Sequence, residues 1–266
     1  MPKLLRLIAM GLIAMLPALL AAQATRAEST LDRILREKKI RITAEVTSPP
    51  FGILDKEGKP DGSEIATARQ LAKDLGVEVE FVQVTAPNRI PALLSGKADV
   101  AISSLSITLE RAKTVMFANP HGALSIVITA PAGTAIKSAA DLKGKRIGIT
   151  RATLEEATVP KIAPEGTNIV YFDDIAATIQ ALLSGQVDAA GMSAFAAKSV
   201  ADRNPDKKLE NKFTVTTAYY SAVVRPGDFE LLQWINTWVF INTQNGVLAE
   251  IYKKYTGVNL PPLPLL

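Results

Sequence analysis

The chain contains no cysteine. That excludes disulfides, thiol nucleophiles, iron–sulfur clusters and thiolate zinc sites. It contains one histidine, His121, so a multi-histidine metal centre is impossible and a Ser-His-Asp hydrolase finds little support. Neither GxGxxG nor GxxxxGK[ST] occurs, which leaves nucleotide cofactors without a phosphate cradle. An excess of basic charge is missing as well. Of 30 Lys and Arg against 26 Asp and Glu, Lys3 and Arg6 fall in an N-terminal leader, and without them the balance is only +2. No basic stripe interleaved with aromatics follows, so nucleic acid is not the expected partner. Metals and cofactors are not expected either.

What is present is an ordinary folded composition, 48% hydrophobic and 21% charged, over 266 residues. This length can bury one large core or two modest ones. Residues 1–24 read as a secretory signal, with Lys3 and Arg6 in front of an apolar run (Leu7 to Ala22) and an Ala22-Gln23-Ala24 cleavage site; cleavage after Ala27 is the alternative. The run is short for a spanning helix and carries Pro17. With no cysteine there can be no lipid anchor at the cleavage site, so the mature chain is expected to diffuse freely in a periplasm.

The stretch Pro91 to Arg111, PALLSGKADVAISSLSITLER, organises the rest. A helix stops at Gly96, a short strand spans Asp99 to Ser103, a hydroxyl-rich loop follows, and Thr108 caps a new helix. Arg111 sits in the first turn of that helix, where the macrodipole favours anions. An anionic ligand would compensate, gripped by the guanidinium fork beside the hydroxyls of Ser103, Ser104, Ser106 and Thr108. A surface salt bridge from Arg111 to Glu110 or Asp99 is the alternative. The stretch also has an echo: ALLSGKADVA (Ala92 to Ala101) and ALLSGQVDAA (Ala181 to Ala190) share seven of ten positions at an offset of 89 residues. Two copies at that distance suggest two similar lobes, each built from α/β units.

Further along, helices are expected at Leu31 to Lys38, Ser63 to Leu75, Ile175 to Ser184, Phe229 to Asn242 and Val247 to Tyr255. The chain from Val115 through LSIVITAP reads as buried strand, Asp202 to Lys212 as a charged connection, and Tyr219 to Arg225 as a strand. Trp234, Trp238 and Ile241 are expected in the core. In mainly parallel α/β sheets ligands bind beyond the carboxyl ends of strands. Glu45 to Ser48, Ser103 to Ser106, Thr150 to Leu154 and Met192 to Phe195 lie at such ends in both halves, which predicts a cleft between lobes.

In this order and spacing, PPF (Pro49 to Phe51), DGSEIATARQLAKDLGVEVEFV, NRIPALLSGKADVAIS, SITLERAKTVMFANPH, LLSGQVDAAG and WINTWVFINTQNGVLAEIYKKYTG resemble the polar amino-acid-binding periplasmic proteins of ABC importers, solute-binding protein family 3. The resemblance covers nearly the whole mature chain. It implies the two-lobed α/β periplasmic binding protein type II fold, two mainly parallel-core sheets joined by two crossover strands. Matching the crossovers to FANPHG and TTAYYSAV puts lobe 1 at 28–121 plus 219–266 and lobe 2 at 122–218.

By the same resemblance Arg111 binds a ligand α-carboxylate, Ser104 and Ser106 hold the ligand from the preceding loop, and Ala152-Thr153-Leu154 matches a G-T-T turn that reaches the same carboxylate. Leu154 can offer that carboxylate its backbone N–H but lacks the hydroxyl of the turn, and three further positions depart from the family. Ser193 replaces an Asp that pairs with the ligand ammonium, Ser48 replaces an aromatic cover, and His121 replaces a hinge aromatic. An ammonium left without a carboxylate in a closed cleft costs several kcal/mol. Either Glu45, Glu155 or Asp173 takes over, Glu45 being the first choice, or the ligand lacks an ordinary α-amino group. The expected function is capture of an amino acid or amino-acid-like carboxylate and its delivery to a membrane permease. The competing readings are an enzyme resembling periplasmic cyclohexadienyl or arogenate dehydratase on this scaffold, with Glu45 or Glu155 as acid, and a sensor that presents ligand to a receptor.

Overall fold

A computed structural model describes residues 28–266. The leader read at 1–24 lies outside the described residues.

The N-terminal half begins with α1 (Thr30–Glu37), which Ser29 and Asp32 close in a reciprocal capping box. Strand β1 (Lys39–Ala44) then pairs in parallel with β4 (Glu78–Gln83) along all of its residues. Between them come a small hairpin, β2 (Ile53–Leu54) with β3 (Pro60–Asp61), and helix α2 (Ser63–Leu75). Ile65, Ala68, Leu71, Ala72 and Leu75 form the buried stripe of α2. Gly76, in the left-handed region at φ 73°, ends it. Helix α3 (Arg89–Leu94) leads to the segment expected as a strand at Asp99 to Ser103. Only Val100 and Ala101 make bridges there, to Ile42 and Val223, before the chain turns at Ser104 with φ 48°. One core, with Ile40, Ile42, Leu71, Ile235 and Trp238 at its centre, holds this half together.

After the single-turn helix α4 (Leu109–Ala112), β5 (Met116–Pro131) runs for 16 residues. Its antiparallel partner is the equally long β9 (Leu209–Val224). Between them in sequence lie β6 (Arg146–Thr150), α5 (Leu154–Ile162), β7 (Asn168–Phe172), α6 (Ile175–Ser184), β8 (Ala189–Ser193) and α7 (Ala194–Arg203). The order of this sheet is β7-β6-β8-β5-β9, with β6 parallel to both β7 and β8. The far half of β5 pairs with β8, whereas the end of β9 reaches back through Val223 to Ala101. The two long strands therefore connect both sheets. Their register is broken between Phe117 and Pro120 and again before Gly122, where Pro120 has no N–H to give.

Helices α8 (Phe229–Gln244) and α9 (Val247–Thr256) complete the first core. Two sequence expectations change. Strand β9 starts ten residues before Tyr219, at Leu209, because it forms the edge of its sheet, where charged Glu210 and Lys212 are tolerated. Ile241 is half exposed, whereas Trp238 on the same helix is buried with its Nε1 donating to Asp74 Oδ2 at 2.8 Å.

Candidate ligand site

The loops after β1, after Val100 and Ala101, after β6 and after β8 converge on one narrow cavity of about 40 Å³. Ser48, Ser104, Ser106, Arg111, Thr153, Leu154 and Ser193 all line it. Seven of the eight candidates are thus brought together. Glu45 is the exception.

Arg111 reaches the cavity because Thr108 caps α4, its Oγ1 accepting from Arg111 N at 3.2 Å. The guanidinium donates to two carbonyls, Ser106 O and Ala152 O, both at 2.8 Å. Neither salt bridge that the sequence left open is made: Glu110 holds Lys113 at 2.8 Å and Asp99 holds Arg41 at 2.7 Å. Among the described residues no carboxylate pairs with Arg111. Burial, and then the neighbouring Arg89, lower its pKa to about 10, so it remains charged near neutrality but under strain that an anion would relieve.

Sequence reasoning missed Arg89. It is buried, lines the cavity, and opens α3 with no acid in the first turn. A cation near a helix start is what drew attention to Arg111, and Arg89 offers it too. All three of its nitrogens are used: Nε donates to Ala86 O at 3.0 Å, Nη1 to Ser103 O at 3.1 Å and Nη2 to Ala152 O at 2.9 Å. Two guanidiniums on one side of the cleft thus converge on one carbonyl from the other. Ala152 itself is held at φ 57°, in the left-handed region.

Glu45 does not line the cavity. It lies behind Arg89, its Oε2 3.3 Å from Nη1, buried and with neither oxygen accepting a hydrogen bond among the described residues. Burial raises its pKa and Arg89 opposes the rise. Glu45, the first choice for the acid facing the ligand, is thus paired with Arg89 rather than lining the cavity. Asp173 is no substitute, being exposed beside Arg151 at 3.4 Å. The acid in the cavity wall is Glu155. It sits in the first turn of α5, whose cap is Thr153, with Thr153 Oγ1 accepting from Glu156 N at 3.4 Å. Burial pushes the Glu155 pKa up, against hydrogen bonds to its own backbone and Thr153 and the charges of Arg89 and Arg111.

Ser193 caps α7, accepting from Ala196 N at 3.1 Å. The sole histidine does not line the cavity and cannot serve it as a base. His121 Nε2 lies 3.1 and 3.2 Å from the two oxygens of buried Glu64, whose Oε2 accepts from Ser104 N at 2.7 Å. The polar wall is completed by Thr150 and Thr178, with hydroxyls 2.7 Å apart.

The chain matches the sequence pattern of the bacterial extracellular solute-binding proteins, family 3, over residues 40–258. It is 29% identical over 262 residues to the L-cystine-binding protein TcyJ of Escherichia coli (strain K12), covering 94% of this chain and 95% of that protein. It is 30% identical over 233 residues to the ABC transporter glutamine-binding protein GlnH of Bacillus subtilis (strain 168), covering 86% and 85%. Among solved structures, the ancestral amino acid-binding protein AncCDT-1, a precursor of cyclohexadienyl dehydratase, superimposes with a TM-score of 0.79 at 32% identity, over 86% of this chain and all of that one. An ancestral arginine-binding protein bound to glutamine gives 0.78 at 36%, over 83% and 99%.

Proposed function

This chain belongs to the bacterial extracellular solute-binding proteins, family 3, and we propose that it captures an amino acid or amino-acid-like carboxylate in the interlobe cavity and delivers it to the membrane permease of an ABC importer. The observation that carries this reading is Arg111, a buried cation in a cavity wall whose partners are two neutral carbonyls. A ligand carboxylate would supply the missing charge, joined by the hydroxyls of Ser104, Ser106 and Thr153 and the N–H at the start of α5. Ser48, Leu154 and Ser193 shape the remainder. Relatives with assigned roles are binding proteins for cystine, glutamine, arginine and histidine, not enzymes.

The lobes of the proposal are residues 28–121 with 219–266 and residues 122–218, hinged where β5 and β9 cross. Closure brings the Ala152 carbonyl onto Arg89 and Arg111, excludes water and forms the surface that a permease would read. No helix among the described residues is long and apolar enough to cross a membrane, which suits a periplasmic protein released from its leader.

The test is a thermal-shift screen and titration calorimetry on ligand-stripped protein, followed by Arg111→Ala. Truncating one partner of a buried charge pair costs about 2–5 kcal/mol, so affinity should fall roughly 30- to 4,000-fold. Unchanged affinity would remove Arg111 from the site.

A further inference from the structure

We infer that Glu155 receives the ammonium group of the ligand, which is an α-amino acid with an uncharged side chain. The inference rests on the solute-binding reading above and narrows it. Its first support is the shape of the sheet beneath Glu155. A Cβ placed on Gly191 would lie 2.7 Å from Ile149 Cδ1, 3.3 Å from Val159 Cγ2 and 3.6 Å from Glu155 Cβ. Ile149 and Val159 therefore fill the space over Gly191, and the Glu155 stem starts in ordinary contact distance of the same face of β8. Residues two apart on a strand share a face, so Ser193 points to the same side, and both Ser193 and Glu155 line the cavity. A carboxylate at the end of β8 and one reaching over from the first turn of α5 serve the same corner. This chain has the second.

The second support is charge. Arg111 is the guanidinium without a carboxylate and is reserved for the α-carboxylate. Glu155 is the one acid among the described residues lining the cavity. Its raised pKa shows what burial costs the carboxylate while it faces no cation but the two arginines opposite. An ammonium in contact would hold it ionised. Beyond that pair nothing is left for a charged side chain. Glu45 is spent on Arg89, and Arg89 has every nitrogen engaged. Asp174 is occupied as the cap of α6, accepting from Ala177 N at 2.7 Å. The rest of the wall is apolar, Phe51, Leu124, Ile126, Ile175, Ile179 and Met192, with the hydroxyls of Thr150 and Thr178.

The experiment measures binding of the twenty standard L-amino acids, L-cystine, and the desamino analogue of each ligand found, to the mature wild-type protein, Glu155→Gln and Glu155→Gln/Ser193→Asp. Circular dichroism melting of each variant confirms folding. An uncharged amino acid should bind wild type at least 100-fold tighter than its desamino analogue. Glu155→Gln should abolish that ratio by weakening the amino acid about 100-fold, in line with removal of one partner from a buried pair. Moving the acid back to β8 in the double variant should restore at least tenfold. Equal binding of amino acid and analogue overturns the inference, as does undiminished affinity in Glu155→Gln or a preference for arginine or lysine. If only plain carboxylates bind, and bind through Arg111, the inference falls while the solute-binding reading stands. Silence across the panel refutes both.

Discussion

Gly122 offers the sharpest structural test, because it sits where β5 leaves one sheet for the other. Its strand partner is Tyr220, and a Cβ at position 122 would come within 2.2 Å of both Cζ and Oη of that ring and 2.6 Å of Cε2. Real Cβ contacts are never that short, so Gly122→Ala requires movement. The ring has nowhere to go. Tyr220 is fully buried, edge-on to Phe51 at 5.7 Å and to His121 at 5.1 Å between centroids. Overpacking a tight core costs about 1–3 kcal/mol, and displacement of three rings packed edge to face puts this case at the upper end. For a chain of this size each kcal/mol shifts Tm by roughly 2–4 °C, so a loss of about 5–10 °C is expected by circular dichroism. Phe51 also lines the ligand cavity, so the same variant should weaken ligand binding.

Tyr220→Ala alone opens a large cavity and costs about 3–5 kcal/mol. Combined with Gly122→Ala it should cost less than the sum, since the clash is gone, giving a coupling of about 0.5–3 kcal/mol in a double-mutant cycle. Strict additivity, or an unchanged Tm for Gly122→Ala, would refute the close packing of the crossing strands.

Ligand affinity should depend on pH through Glu155. Its pKa is raised by burial, against hydrogen bonds to its own backbone and Thr153 and the charges of Arg89 and Arg111. The ionised form binds the ammonium, so affinity falls as pH drops through that raised pKa. Calorimetry between pH 4 and 8 should show a limb above the ordinary carboxylate range that Glu155→Gln removes. The pKa of Asp99 is shifted the other way. Burial alone would raise its pKa, but hydrogen bonds from the Arg41 side chain and backbone and from Arg33 hold it below the usual value. It therefore contributes stability above its unfolded pKa and loses it as pH falls through the folded one. Asp99→Asn should lower Tm at pH 7 and flatten the acid limb of the stability profile; parallel profiles would show the cluster to be inert. Arg111→Lys keeps the charge and loses the two-pronged geometry, so it should recover only part of the affinity that Arg111→Ala removes.

Local rules made much of this protein legible from its sequence. The amphipathic period of Ser63 to Leu75, the bounds of Ile175 to Ser184 and the cap at Thr108 all depend on neighbours within a few residues. Arg111 drew notice through the same local reading, although its helix proves a single turn in which Arg111 also stands at the end, where a cation is favoured. What the sequence could not settle was which acid faces the cavity. Glu45 and Glu155 both stand at strand ends, and nothing in their immediate surroundings separates them. Glu45 pairs with Arg89, 44 residues on, and Glu155 lines the cavity from a stem that starts beside Gly191 of β8. Those contacts join segments far apart in the chain. The direction of a buried carboxylate is decided by which distant partner offsets its desolvation, and only the tertiary structure supplies that partner.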